Sequence, residues 1–458
     1  MAAFDLALAQ VRQGDDDSLL PQRINQLARR AKIPFRNTPL NPGNTLRLFV
    51  QQIAHGNISC QAVRHLAGKK FSDTAWCQAR NRLPLELIQE AHRSILTRAR
   101  QQFEGPERAA DDAARWHGHR VFTLDGTSDS MPDTSALRAH YGVSSECREG
   151  LGFPTSSLLM LMDHDSGLVI DCIDSPLNTS ELSQTPALHR HLEKGDILLA
   201  DVAFAGWAHL ALLLQANLHG VMPVHQRRIV DFAADRPHAH PHKSTAQKRV
   251  GKPRSRVVKP LGRDDQLVEY FKPTAKPAWM SAQVWSTLPE SILVREIRRT
   301  VQRDGFRPIT VTIVTTLLDP EAYPAEELIE LRLTRWMIET NFRHLKITLG
   351  MDVLKCKSVP GIQKERWIFI IVYNLVRLAM LRVARRQGVN VHRLSFADAL
   401  AWLRFGDLST PVDLVVNPLR PLRLEPRALK RQKKEFPYMT RPRAALKLEL
   451  REKYGVTA

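Results

Sequence analysis

The spacing of apolar residues changes along the chain near residue 110. Before that point, apolar residues recur at steps of three and four, which predicts packed α-helices. Ser72 or Asp73 is suited to cap the helix that carries Trp76. A helix, a short turn and a second helix rich in Gln, Arg and Asn are found in DNA-groove readers and also in plain helical bundles. We therefore expect residues 1–110 to form a helical DNA-binding domain, with a plain bundle as the alternative.

From residue 120 the pattern predicts strands. Apolar runs at 120–128, 156–167 and 168–176 are bounded by Gly, Pro, Asp and Ser, and the DSG between the second and third is a hairpin-turn signal. A helical pattern follows, and then a further strand at 196–204. Antiparallel hairpins followed by alternating helix and strand predict a mixed α/β sheet flanked by helices over residues 115–224.

Beyond Val224 the chain becomes polar and basic before it returns to strand-like runs. DQLVEYFKP, SILVREIRRTV and RPITVTIVTTLLDP favour strands, so we expect a β-rich basic insertion at 225–318. Residues 319–349 read as one long helix. Together with the helices that follow, this helix would complete the core at 319–390, and 391–458 would form a basic C-terminal region.

The overall charge indicates a polyanionic partner. The chain has 458 residues, a formal net charge of +19 and 43% hydrophobic residues. Such a basic excess usually accompanies nucleic acid or an anionic membrane surface, and the alternative is a merely solubilising surface. The most apolar stretch, 367–386, is interrupted by Asn374 and Arg377 and favours a buried helix over a membrane span. The five cysteines are scattered without a CxxC pair, which fits a reducing cytosol.

One stripe of the predicted long helix carries four charged residues. Arg335, Glu339, Arg343 and Lys346 follow one another at steps of four, four and three, so they share one face of a helix. A carboxylate bracketed by three cations is either a solvated salt-bridge face or part of a site that holds an anion.

Two aspartates are expected where strands end. Asp125 closes VFTLD and Asp201 closes DILLAD, and ligand sites in α/β sheets gather at strand ends. Alone, each is more often a turn or cap residue. Together with Glu339 they would repel one another unless divalent cations were present. Two Mg²⁺ ions about 3.5–4 Å apart can share such ligands and clamp the attacking and leaving oxygens of a phosphodiester.

The sequence around these residues resembles the IS4 family of bacterial DDE transposases. Its third-carboxylate block reads Tyr-x-x-Arg-x-x-x-Glu-x-x-x-x-x-x-Lys, and Arg335, Glu339 and Lys346 stand at those spacings. TLDGTS and LLADVAFAGW are similar to the blocks of the first and second aspartates. The resemblance covers about residues 115–385. One position departs from the pattern, since Arg332 stands where the family has its Tyr.

The resemblance implies an RNase H-like core whose metal ligands and catalytic residues are Asp125, Asp201 and Glu339. Mg²⁺ would be the cofactor, with Mn²⁺ able to substitute. Arg335 and Lys346 would contact the phosphates at the ends of the element. The expected DNA-binding residues lie in the charged stripe, at the family's Tyr position and at the start of the insertion. They are Arg227, Arg228, Arg332, Arg335, Arg343 and Lys346.

The function implied is cut-and-paste transposition. Water would cleave a phosphodiester at the element's end, and the freed 3′-hydroxyl would join target DNA. Pairing two terminal inverted repeats implies a homodimer, acting in the bacterial cytoplasm at the nucleoid without a membrane. The alternatives are an RNase H-like nuclease or resolvase that does not join strands, and a non-catalytic DNA-binding regulator derived from a transposase.

Overall fold

The computed structural model describes residues 19–68, 71–103, 115–144, 151–225, 227–243, 245, 250–302, 308–405, 413–417 and 442–454. Its helices are α1 (Pro21–Arg30), α2 (Pro42–Ala54), α3 (Cys60–Ala67), α4 (Asp73–Arg82), α5 (Leu85–Phe103), α6 (Ser135–Tyr141), α7 (Glu181–Leu188), α8 (Trp207–Gln215), α9 (Ala282–Thr287), α10 (Ala325–Thr334), α11 (Met337–Arg343), α12 (Val359–Gln387), α13 (Phe396–Phe405) and α14 (Arg443–Tyr454). Its strands are β1 (Val121–Ser130), β2 (Thr155–Asp163), β3 (Val169–Pro176), β4 (Ile197–Ala200), β5 (His219–Pro223), β6 (Ser255–Gly262), β7 (Asp265–Phe271), β8 (Ser291–Val301) and β9 (Ile309–Thr315).

The strands of the described segments form one mixed sheet in the order β3-β2-β1-β4-β5-β9-β8-β7-β6. β1, β2 and β3 are an antiparallel meander, whereas β4 is parallel to both β1 and β5. The predicted mixed α/β sheet is therefore confirmed. The three late strands predicted from sequence are β7, β8 and β9, and they extend the sheet outward from β5 together with β6.

The N-terminal helices and α12 bury their apolar faces in the same core. Trp76 of α4 and Ile88 of α5 belong to one cluster with Ile368 and Phe369 of α12. α12 is long and apolar enough to cross a membrane, yet 89% of its most apolar window is buried inside the protein. Burial on all sides explains its nearly uniform apolar composition, as expected of a core helix.

Two predicted elements were wrong in extent. The strand expected at 196–204 ends at Ala200, and Val202–Phe204 forms a 3₁₀ turn. The helix expected at 319–349 begins only at Ala325, after Pro324, and is divided into α10, α11 and a π-helical turn at His344–Thr348. Ser72, by contrast, caps α4 as expected and accepts a hydrogen bond of 3.0 Å from the Ala75 amide.

Parts of four predicted regions lie outside the described residues. They are residues 1–18, 69–70 and 104–110 of the N-terminal region, 145–150 of the first part of the core, positions 226, 244, 246–249 and 303–307 of the insertion, and 406–412, 418–441 and 455–458 of the C-terminal region.

Candidate active site

Asp125 and Asp201 lie where the parallel strands β1 and β4 part. The last parallel pair is Leu124 with Ala200, so each aspartate is the next residue on its strand's path. β4 ends there, whereas β1 continues to Ser130, paired with β2 on its other side and bridged to Val353 at its last residue. Asp125 therefore lies inside β1 and does not close it, which corrects the sequence prediction. The end of β4 leaves an open edge beside both carboxylates.

Glu339 reaches this edge from α11, at a local distortion of the helix. Between α10 and α11 the amides of Ile338 and Glu339 bond the carbonyls of Arg335 and Trp336, three residues back. Such 3₁₀-type bonds tighten the helix by comparison with the α-helical pattern, and the π turn that follows α11 widens it again. Short departures of both kinds often occur at functional sites.

Arg335 joins two of the three carboxylates. Its Nη1 donates to Asp125 Oδ2 at 2.6 Å and its Nη2 to Glu339 Oε1 at 3.3 Å. The other oxygen of Asp125, Oδ1, accepts from the Gly126 amide at 2.9 Å. One guanidinium thus brings together an aspartate of the sheet and a glutamate of a helix distant in sequence.

Arg332 occupies the same site, one helical turn before Arg335. Its Nη2 lies 3.6 Å from Asp201 Oδ1, and the charges of Asp125 and Glu339 also act on it. Burial, followed by the charge of Arg335, lowers the pKa of Arg332 to about 10. The Nε atoms of both arginines are buried without a hydrogen-bond partner. A buried donor left unpaired is costly, so these atoms indicate a place for an acceptor oxygen.

The other predicted phosphate-binding residues differ in their exposure and in their distance from the carboxylates. Lys346 Nζ donates to Thr127 Oγ1 at 3.2 Å, on the face of β1 that Asp125 shares. Arg343 is exposed on α11. Arg227 is exposed at the start of the insertion, whereas Arg228 stacks over the Tyr270 ring at 4.1 Å from its centroid. These last two arginines have no described contact with the carboxylates.

Burial has the largest effect on the pKa values of the acids near Asp125. Burial raises the pKa of Asp125, and the charge of Asp201 raises it further, against the opposing effect of Arg335. Glu181 lies close by, although the sequence prediction overlooked it. Burial raises its pKa as well, followed by the charges of Asp125 and Asp201. No local signal distinguishes Glu181 from an ordinary acidic residue in the first turn of a helix.

The donor set fits a hard divalent cation, although the site as described is closed by arginine. Within the described residues, no three His, Cys, Asp or Glu side chains lie together as ligands of one metal ion. The reason at this site is that Arg335 takes up the carboxylate oxygens of Asp125 and Glu339. Carboxylate oxygens are nevertheless the ligands that Mg²⁺ and similar hard ions prefer. The unpaired arginine Nε atoms show where those side chains could find phosphate instead.

Comparisons with known proteins match most of the chain. The profile of the family described as "Transposase DDE domain" matches residues 116–375. Transposase InsG for insertion sequence element IS4, from Escherichia coli (strain K12), is 23% identical over 384 residues, covering 80% of this chain and 78% of that protein. The cryo-EM structure of a piggyBac transposase synaptic complex with hairpin DNA covers 88% of this chain and 80% of that one at 12% identity. Its TM-score of 0.40 is too low for the likeness to support a conclusion.

Proposed function

The chain belongs to the transposase DDE domain family, and we propose that it moves a DNA element by cut and paste. The predicted membership is thereby confirmed, with a relative from element IS4 among the matches. As a member, the chain is a DNA transposase, an enzyme that acts on DNA and depends on a divalent metal ion. The finer points below, including the residues of the site, are our proposals.

The observation that supports the proposed site best is the meeting of three acids around two arginines. Asp125 and Asp201 follow the last parallel pair of β1 and β4, and Arg335 binds Asp125 and Glu339 together. Arg332 lies against Asp201 and completes the group. Exposed ion pairs contribute at most about 1 kcal/mol to the stability of a protein. Stability alone is therefore a weak reason for three partly exposed acids, distant in sequence, to share counterions. We therefore assign the three carboxylates as the catalytic residues.

We assign Mg²⁺ as the cofactor, with Mn²⁺ able to substitute, held by Asp125, Asp201 and Glu339. The bound metal would supply charge for the attacking and leaving oxygens of the phosphodiester. Arg335 and Arg332 have two sets of possible partners, namely these carboxylates and DNA phosphates. When DNA enters, the guanidiniums would bind phosphate oxygens, in a bidentate manner where both nitrogens reach. The carboxylates would then be free to bind metal.

The proposed reaction has two displacements at phosphorus. In the first, water attacks the phosphodiester at the element's end, the bond to the 3′-oxygen breaks and a 3′-hydroxyl is released. In the second, that hydroxyl attacks a phosphodiester of target DNA, one phosphodiester replaces another and a target 3′-hydroxyl leaves. No external energy source is needed, because the number of phosphodiester bonds is conserved in the second step. Lys346 and Arg343 would hold neighbouring phosphates throughout.

The remaining parts of the chain fit the same proposal. The order β3-β2-β1-β4-β5 supports the RNase H-like core that we propose, and β6–β9 would be its insertion. We propose that the N-terminal helices, the insertion with Arg227 and Arg228, and the basic C-terminal region contact DNA. Terminal inverted repeats and target DNA would be the substrates, bound by a homodimer at the nucleoid in the bacterial cytoplasm.

The proposal is tested with a plasmid carrying the DNA that flanks the chain's coding sequence, and with pre-cleaved ends plus a target plasmid. We expect Asp125→Asn and Glu339→Gln to lower cleavage and joining by more than about a hundredfold, since even removing a partner of a metal ligand costs about 10–100-fold. Glu330→Gln, at an exposed glutamate of α10, is the matched control and should act as the wild type.

Two results would contradict the proposal. Cleavage by the wild type without any joined product would favour a nuclease or resolvase. If Asp125→Ala leaves DNA binding and every cellular effect unchanged, catalysis at this residue is irrelevant and a regulator is the better description.

A further inference from the structure

The Glu181 side chain approaches the site at Gly126, where the strand lacks a side chain. A Cβ built on Gly126 would lie 1.8 Å from Glu181 Oε1 and 2.8 Å from Oε2, so the carboxylate fills the space where any other residue would place its side chain. Side chains alternate across a strand, hence Gly126 faces away from Asp125 and Glu181 comes from the opposite face. Because β4 ends at Ala200, no described strand pairs with β1 at Gly126 on the side away from β2.

Glu181 differs from the other acids of the site in its partners. Asp125 and Glu339 have Arg335, and Asp201 has Arg332. For Glu181, the described part of the chain provides neither an ion pair nor a hydrogen bond to the carboxylate. The charges of Asp125 and Asp201 nevertheless act on it, so it shares their surroundings. A half-buried carboxylate among like charges is stabilised in its charged form by a nearby cation.

We propose that Glu181 is the fourth acidic residue of the divalent-cation site, where it binds the cation directly or through a bound water. This inference rests on the proposed function, since it adds a residue to the same site. The geometric observation that supports it is the missing side chain at Gly126, next to Asp125, whose place the Glu181 carboxylate occupies. Gly126 then has a definite role, because a side chain there would expel the carboxylate.

The first experiment measures Mn²⁺ binding by electron paramagnetic resonance to the full chain bound to pre-cleaved end DNA, because we propose that Arg335 leaves the carboxylates when DNA enters. We expect Glu181→Gln, which keeps the shape and removes the charge, to weaken Mn²⁺ binding about tenfold, in the range for partners around a metal. Asp125→Asn should weaken it more, and Glu330→Gln should leave it unchanged. The rise in Tm on adding Mn²⁺ should shrink in Glu181→Gln to the same extent.

A second variant tests the same contact from the other side. In Gly126→Ala the new methyl group would displace the Glu181 carboxylate, so Mn²⁺ binding should weaken while far-UV circular dichroism stays that of the wild type. If both changes act through one contact, their effects do not add. The double variant Gly126→Ala and Glu181→Gln then has an affinity for Mn²⁺ no lower than that of the single variant with the lower affinity.

The outcomes separate this inference from the proposed function. Wild-type Mn²⁺ affinity in Glu181→Gln, with loss of binding in Asp125→Asn, would overturn the inference alone. A lower metal-free Tm in Glu181→Gln with unchanged Mn²⁺ affinity would likewise overturn it, because it would indicate only a favourable charge at the start of α7. Absence of saturable Mn²⁺ binding in the wild type, or unchanged binding in Asp125→Asn, would overturn the proposed site itself.

Discussion

Asp125 and Asp129 lie four residues apart on one face of β1, yet their surroundings differ completely. Arg366 binds Asp129 at 2.8 and 2.9 Å, both side chains are 1% exposed, and Ser156 bonds the same carboxylate. Arg366 Nη1 also lies 3.1 Å from Asp174 Oδ2. Asp125 is 20% exposed and shares its arginine with Glu339, which is 41% exposed. Arg335 itself is only 10% exposed, but its two partners reach solvent, so these contacts can be exchanged for a ligand, whereas the buried Arg366–Asp129 pair is structural.

Replacing Arg366 by Met should destabilise the protein strongly. The change leaves Asp129 buried without its counterion, and breaking a buried pair in this way costs about 3–5 kcal/mol. The measurement is the urea midpoint together with Tm. Arg93→Met is the control, because Arg93 and Glu90 form an exposed pair expected to contribute no more than about 1 kcal/mol. Equal losses in the two variants would show that Arg366 is not the structural counterion we describe.

At the scale of elements, the distortion between α10 and α11 places Arg332, Arg335 and Glu339 against the ends of β1 and β4. A second junction joins α5, β3 and α12 through His92. Its Nε2 lies 3.1 Å from the Val169 carbonyl and 3.0 Å from Asn374 Nδ2. Burial lowers the pKa of His92 from 6.5 to about 4, so the ring is neutral in the folded protein at neutral pH.

This junction predicts a loss of stability on acidification. Above pH 6.5 His92 is neutral in the folded and the unfolded chain. Between pH 6.5 and about 4 the unfolded chain binds a proton that the folded protein excludes, so stability falls as the pH falls. We expect the decrease in Tm between pH 7 and pH 4 to be shallower in His92→Gln. His140→Gln, at an exposed histidine, should keep the wild-type slope. A wild-type slope in His92→Gln would contradict this account.

At the scale of the whole molecule, the sheet ends in a basic edge. β6 is its last strand, and Arg254, Lys259 and Arg263 are exposed on or beside it. Pro260 lies within β6, where an unpaired edge tolerates the missing amide donor. Lysine, arginine and proline on an edge also discourage pairing with another sheet. With a net charge of +19, this edge is suited to contact DNA phosphates outside the catalytic centre.

Replacing Arg254, Lys259 and Arg263 by Gln should weaken DNA binding to the same extent for every DNA sequence. For every phosphate that the edge no longer neutralises, the slope of log affinity against log salt should become shallower by about 0.9. Fluorescence anisotropy with an unrelated duplex at several salt concentrations measures the slope, and joining of pre-cleaved ends at low salt should persist. An unchanged slope would exclude this edge as a DNA-binding surface. Glu290→Gln, at an exposed glutamate of the insertion, controls for a change of surface residue.

The sequence by itself determined the N-terminal helices, several later helices, most of the strands, the Ser72 cap and the candidate acids, because these follow from residue type and from periods of a few residues. The sequence prediction was wrong where packing against neighbouring elements decides where a strand or helix ends. The end of β4 at Ala200 and the division of the helix at 319–349 depend on what packs beside them.

Tertiary structure alone decided which groups meet at the site. Arg335 binds Asp125 and Glu339, Arg332 stands beside Asp201, and Glu181 fills the space at Gly126. Apart from the Arg335–Glu339 pair, which spans four residues of the chain, each contact joins segments distant in sequence. No local pattern encodes such distances, because they are set only when the sheet and its helices pack into one core.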